Sequence, residues 1–262
     1  MNAEPPRLRA VLVGASNLEL GFPAALAALR ARSPGPVEVL AAHGLGRSYG
    51  LTTRVLGREL PGLSVCGLWD ALERAPALET IAVVTDPGND VAYGVEPERA
   101  ADWIGEVLER LARAGARTVV TRPPIAGIER VSRLRFEAAR VLMYRARPLT
   151  LEGVLADTRA LDRGLCERAA GCAAEAVEPE ADWYGWDAIH LRRGARRRVF
   201  ESLLARAAGP GPAGRAPQAA RPTGPAPRLL GRPRERERWW GRDRGVAQPA
   251  LRLDDGSTIA LY

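Results

Sequence analysis

Short, largely apolar runs that recur along the first 208 residues constrain the fold more than any other feature of this chain. A strand with one face in water alternates apolar and polar residues, whereas a run that is apolar throughout is typical of a strand covered on both faces. Such strands belong to a parallel sheet lying between layers of helices. We predict strands at Ala10–Gly14, Val37–Ala42, Ile81–Thr85 and Thr118–Thr121, with a weaker one at Cys172–Val177.

Longer segments with helical periodicity separate these runs. Between 97 and 114, for example, Ala101, Ile104, Leu108 and Leu111 fall on one face of a helix. Helices of this length between strands form right-handed crossovers. The pattern therefore predicts an α/β protein, a three-layer α/β/α sandwich with a central, mainly parallel sheet. The predicted helices are Pro23–Arg32, Pro97–Ala114, Glu129–Ala146, Leu151–Ala170 and Arg192–Ala208.

The composition changes after Ala208, and this change suggests how the chain is divided. Residues 1–208 are predicted to form one domain, and 209–238, rich in Pro, Gly and Arg, a disordered linker. Residues 239–262 are predicted to be a short C-terminal tail, with a possible β-hairpin turning at Asp255–Gly256. The stretch 46–77 is compatible with either a mobile lid or an interface.

Charge and composition exclude several classes of protein. Of the formal net charge of +7, residues 209–262 contribute +5, so the basic character does not belong to the predicted domain and nucleic acid is not an expected partner. Three cysteines without metal-ligand spacing predict free thiols and no metal site. The chain has neither a signal-peptide pattern nor an apolar stretch of membrane-spanning length, which predicts a cytoplasmic protein. No cofactor is expected, and the oligomeric state is left open.

Polar residues suited to acyl transfer follow several of the predicted strands. The segments are 14–18, 43–48 and 86–90, and a fourth, 187–190, precedes the last predicted helix. In a parallel α/β sheet, ligands bind at the carboxyl ends of the strands. At that edge the segments would supply a hydroxyl, a glycine-rich loop, a side-chain amide and an acid–imidazole pair, which are the groups an acyl-transfer site needs.

These segments resemble the conserved blocks of the SGNH/GDSL hydrolase superfamily, in the same order. GASNL at 14–18 is similar to the GDSL block, GLGRS at 44–48 to the glycine block, PGND at 87–90 to the GxND block and DAIH at 187–190 to the DxxH block. The resemblance covers about residues 9–208 and implies the flavodoxin-like sandwich of that superfamily. Two departures stand out: Ala15 replaces the family's aspartate, and Pro87 stands where the family usually has glycine.

The resemblance also implies a role for each residue. Ser16 would be the nucleophile, His190 the general base and acid, and Asp187 the residue that orients the imidazole. The main-chain N–H groups of Ser16 and Gly46 and the side-chain amide of Asn89 would form the oxyanion hole. The activity implied is hydrolysis of a small-molecule acyl ester, of the esterase, deacetylase or thioesterase type.

Several alternatives remain open at this stage. Ser16 could be a simple helix cap, Asn89 a turn residue, and Gly44 rather than Gly46 the oxyanion donor. His43 fits packing at a strand end better than a pocket. A catalytically silent or acyltransferase member of the same fold would carry the same blocks. A binding protein acting through its Arg-rich tail is a further alternative, whereas a phosphate loop at 14–21 lacks the GxGxxG and GK[ST] patterns.

Overall fold

The computed structural model describes residues 5–143, 149–209 and 232–262, which form eleven strands and eight α-helices. The strands are β1 (Leu8–Val13), β2 (Val37–Ala42), β3 (Thr53–Val55), β4 (Arg58–Leu60), β5 (Glu79–Val84), β6 (Arg117–Thr121), β7 (Glu175–Val177), β8 (Glu237–Trp239), β9 (Arg242–Arg244), β10 (Leu251–Arg252) and β11 (Thr258–Leu261). The helices are α1 (Ser16–Arg32), α2 (Leu68–Arg74), α3 (Asn89–Ala92), α4 (Pro97–Arg113), α5 (Ile125–Glu129), α6 (Arg133–Met143), α7 (Leu151–Gly171) and α8 (Arg196–Ala208).

A seven-stranded sheet in the order β10-β11-β2-β1-β5-β6-β7 forms the centre of the fold. All neighbours are parallel except β10 and β11. The chain winds outward from β1 in one direction to β2 and in the other to β5, β6 and β7. Where the winding direction changes, a crevice opens at the carboxyl ends of β1 and β5, and ligands bind at such crevices in α/β proteins.

Two apolar layers cover the central sheet. On one face, Leu12, Val39 and Val83 pack with α1 and α8, including Phe22 and Phe200. On the other face, the strands pack with α2, α4 and α7. The predicted three-layer α/β/α sandwich with a mainly parallel sheet is therefore confirmed. No helix within the described ranges is long and apolar enough to span a membrane.

Helix α1 begins at Ser16, whereas the sequence suggested a start at Pro23. Ala15, the residue before the helix, supplies no side-chain cap. Instead the carboxylate of Asp86, at the end of β5, accepts hydrogen bonds from the main-chain N–H groups of Asn17 and Leu18, both at 3.3 Å. These are among the N–H groups that a helix start leaves unpaired. A cap supplied from another strand cannot be read from local sequence.

Other predicted elements differ from the structure mainly at their ends. The helix predicted at 129–146 is two helices, α5 and α6, and 144–146 lie outside the described residues. Ser132 lies between them, and its carbonyl accepts the N–H of Phe136 as α6 begins. The strand predicted from Cys172 begins at Glu175 because Cys172 still caps α7, and the last helix begins at Arg196 rather than Arg192.

Residues 232–262, here called the C-terminal segment, pack into the fold. Strand β11 pairs in parallel with β2, while β8 joins β3, β4 and β9 in a second, antiparallel sheet of four strands. The hairpin suggested at Asp255–Gly256 corresponds to the antiparallel pair of β10 and β11. Of the predicted linker, 210–231 lie outside the described residues, whereas 232–238 include the fully buried Arg234. The stretch 46–77 contributes Leu63 and Trp69 to the core.

Candidate active site

The first three of the four segments selected from the sequence follow neighbouring strands of the central sheet. Ser16 opens α1 three residues after the end of β1, the loop 43–48 follows β2, and Asp86 and Asn89 follow β5. Because these strands are parallel, their carboxyl ends meet at one edge of the sheet. The fourth segment, 187–190, forms the approach to α8 and is hydrogen-bonded to the first, as described below.

Asp187 and His190 form a hydrogen-bonded acid–imidazole pair. Asp187 Oδ2 lies 2.6 Å from His190 Nδ1, and Oδ1 accepts the main-chain N–H of His190 at 3.0 Å. The hydrogen bond from Asp187 is the main cause that raises the pKa of His190 above its ordinary value. Burial acts to raise the pKa of Asp187, but the hydrogen bonds from His190 outweigh it and hold that pKa below its ordinary value. An ionised Asp187 that accepts the Nδ1 proton leaves Nε2 available as a base.

Asn17 ties the Ser16 turn to the histidine loop. Its side-chain Nδ2 donates to the carbonyl of Ile189 at 2.8 Å, and its Oδ1 accepts the N–H of Leu191 at 2.7 Å. These two residues flank His190 on either side. One amide side chain, directly after Ser16 and only 8% exposed, therefore fixes the loop that carries the imidazole.

The carboxylate of Asp86 organises the same turn. In addition to capping α1, it accepts the N–H of Ala15 at 2.8 Å and the side-chain amide of Asn17 at 2.6 Å. Position 15 is where the family pattern has aspartate and this chain has alanine. In this chain, a carboxylate reaches the turn from the neighbouring strand instead. Asp86 and Asn17 could not be recognised as site residues from the sequence, because both act through contacts about 70 or more residues apart along the chain.

The loop after β2 lies beside Asn89. Gly46 has a left-handed backbone (φ +59°), which favours glycine, and its carbonyl accepts the hydroxyl of Tyr93. Asn89 Nδ2 donates to the carbonyl of Arg47 at 3.1 Å, and since an amide carries two N–H groups, a second one remains for another acceptor. Gly44 has no left-handed backbone. Gly46 thus combines a left-handed backbone with a position next to Arg47, the residue that Asn89 contacts.

Asp90 holds the far end of this loop. It is fully buried and accepts the hydroxyl of Ser48 and the N–H of Tyr49. Burial raises its pKa, against the effect of these hydrogen bonds. In the part of the chain that the structure describes, no three His, Cys, Asp or Glu side chains group in a way that could hold a metal ion.

A cavity opens beside these groups. Asn17, Asn89 and Asp187 lie on its wall, so residues from three of the four segments face one space. The rest of the lining is mostly apolar and includes Pro123, Pro124, Ile128, Val131, Phe136 and Val154. Of the three aromatic residues before Asp187, Trp183 and Tyr184 are buried and Tyr184 also lines the cavity, whereas Trp186 is exposed.

Ser16 itself is 7% exposed, and its hydroxyl makes no hydrogen bond to any residue within 5–143, 149–209 or 232–262. Catalytic hydrogen bonds are often long in proteins without a bound ligand and tighten when substrate binds. The structure thus places Asn17, Asn89 and Asp187 on the wall of one cavity. Asn17 joins the Ser16 turn to the His190 loop, and Asn89 contacts Arg47, the residue after Gly46. His43, in contrast, is buried against Phe22.

Comparison with solved structures finds similar folds among esterases. Est24, a carbohydrate acetylesterase from Sinorhizobium meliloti, is 15% identical with a TM-score of 0.53, covering 74% of this chain and 96% of its own. The inhibitor-bound aryl esterase of M. smegmatis is 14% identical with a TM-score of 0.51, again covering 74% and 96%. No protein-family model and no curated protein matches the chain. At this identity the likeness shows the fold alone, the α/β fold that this chain shares with these esterases.

Proposed function

We propose that this protein is a serine hydrolase that cleaves a small acyl ester, with Ser16 as nucleophile and His190 and Asp187 as its proton-transfer partners. The observation that carries the proposal is the hydrogen bond between Asp187 and His190. Asn17, the residue after Ser16 at the start of α1, bonds to the loop that carries this pair. A plain N-cap serine has no need of an oriented imidazole on the adjoining loop.

The proposed reaction has two acyl-transfer steps. His190 Nε2 takes the hydroxyl proton of Ser16 as Oγ attacks the ester carbon, and Asp187 stabilises the imidazolium that forms. The tetrahedral intermediate collapses, and the leaving alcohol takes the proton from His190. Water then attacks the acyl–Ser16 ester while giving a proton to His190. As this second intermediate collapses, His190 returns the proton to Ser16 Oγ, and the carboxylic acid is released.

The negative charge on the tetrahedral oxygen is stabilised by hydrogen-bond donors that are already in position before the reaction. The N–H of Ser16, at the positive end of α1, the N–H of Gly46 and the free N–H of Asn89 are the proposed donors. Loss of one such donor typically slows the chemical step by about 10²–10³-fold. The hydrogen bond from Asn89 to Arg47 supports this assignment because it fixes the amide against the Gly46 turn.

The cavity favours an apolar group on the substrate. Pro123, Ile128, Val131 and Phe136 offer hydrocarbon rather than hydrogen-bonding groups, so burial of a hydrocarbon acyl or aryl portion would drive binding there. Acetyl and aryl esters, the substrates named for the two similar structures, are therefore the first to test.

Labelling with a fluorophosphonate probe tests the proposal directly. The native protein is expected to be labelled and heat-denatured protein not, because only a serine activated by the folded site attacks phosphorus. Mass spectrometry should place the adduct on Ser16. Acetyl, butyryl and phenyl esters should then be hydrolysed. Failure of the folded protein to react with the probe would overturn the proposal in favour of a catalytically silent member of the fold. If the protein is labelled but transfers the acyl group of an ester to an added alcohol without hydrolysing the ester, the result would favour an acyltransferase.

The acid limb of the activity profile should lie above the ordinary histidine pKa. Only neutral His190 accepts the serine proton, and its pKa is raised above 6.5, first by the hydrogen bond from Asp187. Activity is therefore expected to be lost as pH falls through a midpoint higher than 6.5. The measurement is kcat/KM against pH. The charge of Arg196 acts to lower this pKa, so Arg196→Met should shift the midpoint upward. A wild-type midpoint at or below 6.5 would contradict the assignment.

Substitution of Asn17 should impair turnover more than folding. Asn17→Leu keeps the side-chain size but removes the hydrogen bonds that hold both neighbours of His190. Misplaced imidazole should lower kcat by about 10–100-fold with little change in KM. Steady-state kinetics with a soluble ester and thermal unfolding check this. An unchanged kcat in a protein with a lowered melting temperature would mean that Asn17 only stabilises the fold.

A further inference from the structure

A buried ionic cluster joins the C-terminal segment to the two loops of the proposed site. Glu19, His43 and Arg234 are 6%, 1% and 0% exposed. Glu19 Oε2 accepts from His43 Nδ1 and, at 2.7 Å, from Arg234 Nη2, which also lies 3.1 Å from His43 Nδ1. Arg234 is separated from Glu19 by 215 positions along the chain, so this contact belongs to the tertiary fold alone.

The cluster contains one ion pair and a neutral imidazole. Burial, followed by the charge of Arg234, lowers the pKa of His43, so His43 is neutral at physiological pH. Burial acts to raise the pKa of Glu19, but the hydrogen bond from His43 and the charge of Arg234 hold it below its ordinary value. Nε and Nη1 of Arg234 have no partner among the described residues. Its contacts are thus concentrated, through Nη2, on Glu19 and His43.

Both partners of Arg234 lie close to groups of the proposed site. Glu19 is in the first turn of α1, three positions after Ser16, and its N–H bonds to the carbonyl of Ala15. His43 directly follows β2 and begins the loop that reaches Gly46. A shift at Glu19 therefore moves the start of α1, and a shift at His43 moves the Gly46 loop.

The same C-terminal segment supports that loop at a second point. Arg47, next to Gly46, is fully buried and donates to the main-chain oxygen of Tyr262 at 2.5 Å and to that of Pro61 at 2.8 Å. The N–H of Tyr262 in turn bonds to the carbonyl of Ala41 in β2. The segment thus fixes the loop from both sides of Gly46.

We propose that Arg234 is a positioning residue of the active site. It acts through Glu19 and His43 to keep the main-chain N–H groups of Ser16 and Gly46 within hydrogen-bond distance of the same oxygen. The activity part of this inference rests on the proposed function. Two donors on different loops stabilise an oxyanion only while both stay within hydrogen-bond distance of one oxygen. Without Arg234, the buried carboxylate of Glu19 loses its cationic partner and the two loops lose their common contact.

The test compares Arg234→Met, which keeps the length and removes the charge, with Arg234→Lys, which keeps the charge. Arg238→Met is the matched control, because Arg238 lies in the same segment but its side chain is half exposed and pairs with Asp243. Active sites are titrated with the fluorophosphonate probe, and kcat and KM are measured per titrated site below the melting temperature of each variant. Hydrogen–deuterium exchange is followed in peptides covering 14–20 and 43–49.

For Arg234→Met we expect kcat per titrated site to fall about 10–100-fold at unchanged KM, with faster exchange in both peptides. Arg234→Lys should recover part of kcat, and Arg238→Met should change neither readout. If Arg234→Met has the same kcat per titrated site as the wild type and unchanged exchange in the two peptides, the proposal is overturned. This holds even if the variant has a lower melting temperature. If the wild-type protein neither reacts with the probe nor turns over esters, the proposed function fails. The exchange data then still decide whether Arg234 holds the two loops.

Discussion

Ser16→Ala is expected to abolish ester turnover, lowering kcat by about 10⁴–10⁶-fold while the fold persists. The loss is large because the covalent route depends on the hydroxyl, and no other group on the turn can replace it. The hydroxyl makes no hydrogen bond to the residues that the structure describes, so its removal should change the free energy of unfolding by less than about 1 kcal/mol. Turnover of an activated ester and chemical denaturation measure the two quantities.

Ser33→Ala, at the other end of α1, is the matched control, since the hydroxyl of Ser33 bonds locally to the main chain of Gly35. It should keep full activity. His190→Ala should resemble Ser16→Ala rather than add to it, because the two residues act as one unit. Retained turnover in Ser16→Ala would remove Ser16 from the mechanism and return it to the role of a helix start.

Asp187→Asn is expected to lower kcat by about 10⁴-fold. Asp187 Oδ2 accepts the Nδ1 proton of His190 and so leaves Nε2 free to take the serine proton. An asparagine amide turned toward Nδ1 donates instead, which favours the tautomer with its proton on Nε2, where it blocks the transfer. The variant also removes the negative charge that stabilises the imidazolium.

The control for this substitution is Asp182→Asn. Asp182 is near in sequence but pairs with Arg198, and both side chains are 58% exposed. Its loss should leave kcat unchanged. The measurement is kcat for both variants across the pH range. An effect of less than about tenfold for Asp187→Asn would show that the acid does not govern the tautomer of His190.

The sequence was sufficient to predict the sandwich because four strands of the central sheet, β1, β2, β5 and β6, each carry an apolar run. Strand β2 matches its prediction at both ends, and β1, β5 and β6 differ from theirs by a few residues. Three of the four polar segments could likewise be assigned to one edge, since strand direction alone places them there. The fourth, 187–190, follows no strand directly and is joined to the first through Asn17. The roles of Ser16, Asp187, His190, Gly46 and Asn89 remain proposals.

What the sequence did not reveal depends on contacts between distant residues. Asp86 caps α1 from another strand, Asn17 fixes a loop more than 170 residues away, and Arg234 reaches Glu19 from the C-terminal segment. Arg-rich, Gly-rich composition favoured a tail separate from the domain, but burial of Arg234 depends on a partner carboxylate that composition does not indicate. From its local sequence alone, each of these residues would be interpreted as a turn residue, a helix cap or a solvated charge.

The pairing of β11 with β2 has a consequence for how the chain acquires its structure. The N–H of Val37 at the start of β2 bonds to Ser257, 220 positions away. Closing so long a loop is slow relative to local contacts, so β2 should spend part of folding as an open sheet edge. Its sequence, VEVLAA, is largely apolar with a single charge, and such edges pair readily with other chains. Fast docking of β11 should therefore reduce aggregation during refolding. Slower docking should increase the amount of protein lost to aggregation at high protein concentration.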